Sequence, residues 1–258
     1  MNSGRVRPPA PPLRAVTFDY WNTLIRADDG GYVDRRLTAW LGLLAGEGID
    51  AEDHAVRSAL AHAGRQFDRN WKANQIYVAR EAVADALDHL GLTVSAETQD
   101  ALLRSITHPD PVHAPKPTPN VIATIEALRA AGLRIGIICD VGLAPSSTLR
   151  RHLSGHGMLD LFDHWSFSDE VGCFKPDPAI FHHALDGLGG VDPAEAAHVG
   201  DLRRTDIAGA QSLGMFAVRY TGIEDDPGSA EAGSDQVEGD AVIDDHAGLA
   251  AALGLAQP

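Results

Sequence analysis

Cysteine is nearly absent from this 258-residue chain: Cys139 and Cys173 are its only two, too few for a disulfide framework. Positive charge is also scarce. Lys and Arg number 21 against 36 Asp and Glu, for a formal net charge of -15. Nucleic-acid binders need clustered positive surface, so no nucleic-acid partner is expected. No apolar run approaches the roughly 18 residues that would span a bilayer, so no membrane partner is expected either. Residues 1–14 carry Pro and Arg but no apolar stretch of the kind a signal peptide has, and the expectation is a soluble, cytoplasmic protein. Lysine is rarest of all the charged residues: Lys72, Lys116 and Lys175 are the whole set, beside 18 Arg. There is no internal repeat at solenoid periods.

What remains is an ordinary globular composition, 44% apolar with a mean hydropathy of -0.12. The length suffices for one main domain and a smaller inserted one. Residues 1–13 contain Pro8, Pro9, Pro11 and Pro12 and read as a disordered lead-in. A β-branched run, Arg14 to Phe18, predicts a buried strand. From Tyr32 to Thr107 the periodicity is helical throughout. Its three apolar stripes are Val33, Leu37, Trp40, Leu41, Leu44; Val56, Leu60, Ala63, Phe67, Trp71; and Val83, Leu87, Leu90. They can pack on one another as a small inserted bundle, residues 31–109, with hinge-like exits at Ala27–Gly31 and at the Pro-rich stretch His108–Pro119.

Beyond Asn120, helix and strand patterns alternate. Strands are predicted at Arg134–Cys139, near Trp165–Ser168, at Ala197–Val199, Met215–Arg219 and Ala241–Ile243. Helices are predicted at Val121–Ala131, after Pro145, at Ala179–Leu188 and at Thr205–Leu213. This alternation predicts an α/β domain, residues 14–30 and 110–258: a Rossmann-like parallel sheet with helices on both faces, plus the inserted α-helical cap. Glu224–Asp240 reads as a solvated acidic loop.

Four short motifs punctuate this pattern. Phe18-Asp19-Tyr20-Trp21-Asn22-Thr23-Leu24 places Asp19 at the carboxyl end of the first strand, the edge where ligands bind in open α/β sheets. Ile137-Ile138-Cys139-Asp140-Val141-Gly142 ends another strand in a small polar side chain. Gly172-Cys173-Phe174-Lys175-Pro176-Asp177-Pro178 carries the only Lys of the three that precedes a Pro-x-Pro-opened helix without lying in the hinge or the cap. Its compact ammonium suits a crowded anionic site and should stay protonated beside carboxylates. In His198-Val199-Gly200-Asp201-Leu202-Arg203-Arg204-Thr205-Asp206, a strand runs into Gly-Asp with a second Asp five residues on. Asp201 and Asp206 joining Asp19 at one edge would repel strongly without a cation, and hard oxygen ligands suit Mg²⁺.

In this order and spacing the four motifs resemble those of the haloacid dehalogenase-like hydrolases with a helical cap. The resemblance implies that Asp19 is a nucleophile, with Lys175 neutralising it and the substrate phosphoryl group. Cys139 stands where the family has a Ser or Thr that holds a phosphoryl oxygen, so Cys139, Asp140 and Lys175 become the candidate substrate contacts and Cys139 a further catalytic candidate. Asp19, the Trp21 carbonyl, Asp201 and Asp206 become the candidate Mg²⁺ site, Asp201 as direct ligand and Asp206 orienting Lys175 or a metal-bound water. The implied activity is a Mg²⁺-dependent phosphatase acting on a small phosphorylated metabolite through an aspartyl-phosphate on Asp19. One departure stands out. The family's second Asp, its general acid and base, is Trp21 here, and an indole only donates a hydrogen bond. Asp140 or a cap side chain is a candidate replacement. The alternatives are a slow or non-catalytic phospho-ligand binder, and a hydrolytic dehalogenase, since the family's dehalogenases have Tyr at this position. The oligomeric state is not readable.

Overall fold

The structure, a computed structural model, describes residues 12–26, 31–108, 115–226 and 237–255. The expected lead-in at 1–11, the linker residues 27–30 and 109–114, and the middle of the acidic loop at 227–236 lie outside the described residues.

The α/β part is built on one parallel sheet. Its strands are β1 (Ala15–Phe18), β4 (Arg134–Cys139), β5 (His164–Phe167), β6 (Ala196–Gly200), β7 (Phe216–Tyr220) and β8 (Ala241–Ile243), in the order β5-β4-β1-β6-β7-β8. Central strands covered on both faces must be continuously apolar rather than alternating. All four residues of β1 and all five of β6 are buried accordingly. β1 pairs with β4 on one side and β6 on the other, so that Phe18 lies level with Ile137 and Val199. The carboxyl ends of β1, β4 and β6 therefore meet at one edge, where the strand order reverses. That switch point is the place for a ligand in an open sheet.

Helices α5 (Val121–Ala130), α7 (Ser168–Val171), α8 (Pro178–Gly187), α9 (Ala208–Ser212) and α10 (Leu249–Ala252) flank the sheet, and α6 (Ser146–Gly155) lies between β4 and β5 in the chain. Ile180, Phe181, Ala184 and Leu185 of α8 share one buried cluster with Ala15, Ile138, Ala196 and Ala217 of the strands. The helix expected from Thr205 begins earlier, as a π-helical turn at Arg203–Ile207 that passes into α9. Such wide turns recur at functional sites. The described ends of the acidic loop are mostly exposed, as expected, and are tied to β7, where Arg219 donates to Glu238 at 2.6 Å and to Asp225 at 2.6 Å. The small antiparallel pair β2 (Ile25–Arg26) and β3 (Lys116–Pro117) was not foreseen.

The helical unit contains α1 (Tyr32–Gly46), α2 (Asp53–Lys72), α3 (Ala79–Leu90) and α4 (Ala96–Thr107). Leu37, Trp40, Leu44, Val56, Ala59, Ala63, Val83, Leu87, Leu102 and Ile106 form its core. Val33, assigned to the first stripe, instead lies 53% exposed at the start of α1. By its internal packing the chain divides into Met1–Arg26, Lys116–Asp140 and Leu153–Pro258 on one side, and Ala27–Pro115 with Val141–His152 on the other. The segment Val141–His152, expected in the α/β part, thus groups with the helices. The reason lies in helix termination: the last carbonyls of a helix lack intrahelical partners. The hydroxyl of Thr148 and Nη2 of Arg151 both donate to the Thr107 carbonyl at the end of α4.

Trp40 fills the centre of that unit with no exposed surface, and its Nε1 donates to Ser105 Oγ at 3.1 Å. Trp40→Ala is predicted to lower stability by about 3–5 kcal/mol, and Trp40→Phe by clearly less. Urea unfolding measures both, and a loss under about 1 kcal/mol for the Ala variant would contradict this packing.

Candidate active site

Asp19 is the first residue past β1, and its amide still donates to the Val199 carbonyl at 2.8 Å, so the ladder holds it at the sheet edge. The following turn is tightly determined. Leu24 and Ile25 amides donate to the Tyr20 carbonyl, Asn22 N–H donates to Ile25, and Asn22 takes φ 55°, a conformation Asn tolerates. From outside the turn, Thr118 Oγ1 and His246 Nε2 both donate to the Thr23 carbonyl, at 2.7 and 2.9 Å.

Lys175 is 2% exposed, in the turn before α8. Its three ammonium protons have three acceptors: Asp19 Oδ1 at 2.5 Å, Asp206 Oδ1 at 2.6 Å and the Ile138 carbonyl at 3.0 Å. Its own backbone amide donates to Asp140 Oδ1 at 2.8 Å. Burial alone would pull the ammonium down, but Asp19, Asp206 and Asp140 outweigh it and hold the pKa well above the ordinary lysine value. Among the described residues nothing donates to Asp19 Oδ2, which leaves that oxygen available to react.

The carboxylates divide into two kinds. Asp19 is pushed up to about 7, first by burial and then by the charges of Asp206 and Asp140, against the pull of Lys175. Asp201, which follows β6, is raised well above its ordinary value by burial, by Asp19 and by Asp206. Asp206 goes the other way. Burial opposes its charge, yet Lys175 and His198 outweigh burial and keep it below the usual carboxylate range. Both of its oxygens are engaged, Oδ1 by Lys175 and His198 and Oδ2 by the Leu202 amide at 3.0 Å. Of the two roles read for Asp206, the 2.6 Å contact with the ammonium agrees with orienting Lys175. Gly200 makes this possible, since a Cβ there would stand 2.3 Å from Asp206 Cγ.

Cys139 closes β4 with no exposed surface, and burial followed by the Asp19 charge raises its thiol well above the ordinary value. It is a protonated, weak donor rather than a nucleophile. Asp140 is half-buried and committed through Oδ1 to the Lys175 loop, which argues against a freely swinging acid. Trp21 is half-buried, its ring edge-on to Tyr20 with centroids 4.9 Å apart. Sequence reasoning passed over Thr17, His198, Thr118 and His246. The signal for the first two was a polar residue inside each of two buried strands, Thr17 and His198 lying directly opposite in the β1–β6 register.

Asp19 and Asp206 thus share one ammonium, whose charge also acts on the third carboxylate, Asp201. Among the described residues no three His, Cys, Asp or Glu gather as a metal cage of their own. Mg²⁺ does not require one, because it is commonly held by one or two carboxylates plus waters and substrate phosphate oxygens. The pair Asp19 and Asp201, both raised by burial and Asp201 also by the Asp19 charge, fits such an ion.

A family model described as haloacid dehalogenase-like hydrolase matches residues 13–214. The chain is 32% identical over 249 residues to a phosphoglycolate phosphatase of Rhodospirillum rubrum, covering 95% of this chain and 92% of that one. It is 29% identical over 207 residues to a glyceraldehyde 3-phosphate phosphatase of Methanopyrus kandleri, covering 80% and 83%. Among solved structures, a 2-haloacid dehalogenase from Pseudomonas syringae pv. Tomato DC3000 superposes with a TM-score of 0.63 at 26% identity, covering 94% and 98%.

The value near 7 for Asp19 has a consequence for stability. A carboxyl raised on folding contributes stability that is complete below its unfolded value, about 4, and is lost as pH rises through its folded value. Asn carries no such charge. In chelator, Asp19→Asn is therefore predicted to gain on the wild type steadily between about pH 4 and about pH 7 and to hold that gain at higher pH. Thermal melts of the two proteins across that range check it, and a difference independent of pH would contradict the raised value.

Proposed function

Because the chain belongs to the haloacid dehalogenase-like hydrolases, we propose that it is a Mg²⁺-dependent phosphatase of small phosphorylated metabolites that works through an aspartyl-phosphate on Asp19. The observation that carries this reading is the charge imbalance at the sheet edge, three buried carboxylates to one ammonium, which a divalent cation would offset. Phosphoryl transfer is mostly positioning and electrostatics, which suits a site with few mobile parts.

In this reading Asp19 Oδ2 attacks phosphorus while Lys175 holds Oδ1, so the nucleophile is aimed without being blocked. Mg²⁺, held by Asp19, Asp201 and the Trp21 carbonyl, would supply the positive charge that the phosphoryl oxygens need. Lys175 adds its charge from the opposite side of the carboxylate, and Asp206 keeps the ammonium from following the substrate away. Cys139 presents a protonated thiol at the strand end where the family has a hydroxyl. Protonation of the leaving oxygen and activation of water have no carboxylate at Trp21, and that contribution is worth roughly 10²–10⁴-fold. Natural esters with poor leaving groups are then slow unless another group supplies the proton.

A second reading, hydrolytic dehalogenation, is favoured by the aromatic side chain at Trp21 and the similarity to the Pseudomonas syringae dehalogenase. The two separate cleanly by readout: phosphate release that needs Mg²⁺, or halide release that does not. The deciding experiment is a screen of small phosphoesters and 2-haloacids with Mg²⁺ or with chelator, using Asp19→Asn as control. Expected are Mg²⁺-dependent phosphate release, an acid-labile phospho-enzyme, and a loss of at least about a hundredfold in Asp19→Asn. Calorimetric titration should show Asp201→Ala weakening Mg²⁺ by about tenfold or more, and unchanged affinity would remove Asp201 from the site.

The same reading predicts that aryl phosphates, whose leaving groups need little protonation, are turned over much faster than alkyl phosphates. Trp21→Asp should narrow that gap by about tenfold or more by raising alkyl ester turnover. A folded variant with an unchanged aryl-to-alkyl ratio would show that another residue already supplies the proton.

A further inference from the structure

His198 lies in β6 with no exposed surface, its ring edge-on to Phe181 at 5.3 Å between centroids. Its two nitrogens face different partners: Nδ1 is 2.9 Å from Thr17 Oγ1, and Nε2 is 3.0 Å from Asp206 Oδ1. For a neutral ring, the form that burial favours at His198, only one assignment of protons satisfies both contacts. Asp206 is an ionised acceptor, so Nε2 must carry the hydrogen, and a neutral ring then has a bare Nδ1. Thr17 must therefore donate its hydroxyl proton to Nδ1, in preference to the Ala197 carbonyl at 3.2 Å. The result is a directed chain of hydrogen bonds, Thr17 to His198 to Asp206, and Asp206 in turn accepts from the Lys175 ammonium that rests on Asp19.

We propose that His198 is a positioning residue: with its Nδ1 held by Thr17, it holds the Asp206 carboxylate in place and so fixes the Lys175 ammonium on the nucleophile. This goes beyond the four motifs, in which Asp206 orients Lys175 and nothing orients Asp206. A carboxylate anchored only through Oδ2, by the Leu202 amide and the Thr205 hydroxyl, could rotate Oδ1 away from the ammonium. A second donor on Oδ1 itself removes that freedom, in the way outer partners of ligating side chains fix their orientation. Thr17 sits opposite His198 in the middle of the sheet, where a hydroxyl is otherwise a cost, and this contact gives it a purpose.

The role rests on the proposed hydrolytic activity for its kinetic consequence but can be read without it. The chain has only three Lys, so protein labelled with ¹⁵N at lysine gives three side-chain signals. Lys175, buried with three acceptors, should be the one protected, slowly exchanging ammonium. In His198→Leu that signal should broaden or exchange at least about tenfold faster, and in His198→Gln, whose amide places a donor near the position of Nε2, most of the protection should return. Thr17→Val should give a smaller change, and the double variant Thr17→Val/His198→Leu should be no worse than His198→Leu alone, because Thr17 acts only through the ring. On any substrate the wild type hydrolyses, kcat should fall about 10- to 100-fold in His198→Leu with KM nearly unchanged, and recover in His198→Gln. Lys175 protection unchanged in a folded His198→Leu, or a Gln variant as impaired as the Leu variant, would overturn the assignment. A wild type that hydrolyses nothing would count against the phosphatase reading alone, since the ammonium signal still decides the role of His198.

Discussion

The arrangement at the sheet edge depends on one buried ammonium. Taking Lys175 out of water costs several kcal/mol unless every proton is matched, and here three protons meet three oxygens. Those oxygens come from three different parts of the chain. Asp19 follows β1, the Ile138 carbonyl belongs to β4, and Asp206 comes from the wide turn after β6. The contact therefore requires that β1 lie between β4 and β6, which the observed strand order provides. It also requires Gly200, because any side chain there would displace Asp206. A planar guanidinium could not direct donors to three converging oxygens in so small a space, which accounts for a lysine in a chain that otherwise prefers arginine.

The same ammonium separates the carboxylates by task. Asp206, held by Lys175, His198 and a backbone amide, stays ionised and serves as structure. Asp19 shares the ammonium but also feels Asp206 and Asp140, and Asp201 has no cationic partner of its own among its causes beyond the distant pull of Lys175. These two carry the unresolved negative charge of the site. In a family where related chains include both phosphatases and dehalogenases, this surplus is the feature of the chain that speaks for a cation at the edge.

Much of this was legible in the sequence, for physical reasons that differ from element to element. Strands buried on both faces announce themselves as largely apolar runs, so β1 and β4 were found within a residue or at their observed limits, while β8, an edge strand buried at alternate residues, was found from its short apolar run. Asp19, Lys175, Asp201 and Asp206 were found because short motifs place them beside strand ends. Less visible was whatever depends on pairing at long range. The β2–β3 pair joins residues 25 and 117, and the Thr107 carbonyl is capped by side chains some forty residues away. Val33 was misplaced because helical periodicity cannot tell the first, solvent-facing turn of a helix from its interior. His198 was written down as part of a motif and given no role. Its meaning lies in the residue across the sheet, and register between strands far apart in sequence leaves no local trace.

Trp21 shows how separately this chain handles shape and chemistry. The turn that carries it is specified by its backbone: Tyr20, Asn22, Leu24 and Ile25 bond among themselves, and Asn22 supplies the left-handed residue. It is clamped from two further segments through the Thr23 carbonyl, by Thr118 beside α5 and by His246 near the C-terminal helix. His246 is itself fixed, stacked on Tyr220 at 4.4 Å, while its neighbour Asp245 accepts from Asn120 at 2.9 Å. None of these bonds uses the indole, which packs edge-on to Tyr20. The backbone at position 21 is thus held whatever side chain it bears, and so is the carbonyl that would face a metal. A large aromatic group in place of a carboxylate leaves that framework in place and changes what can be done with a proton. The identity of residue 21 is for this reason a choice about the reaction, made on a turn that the rest of the fold already holds.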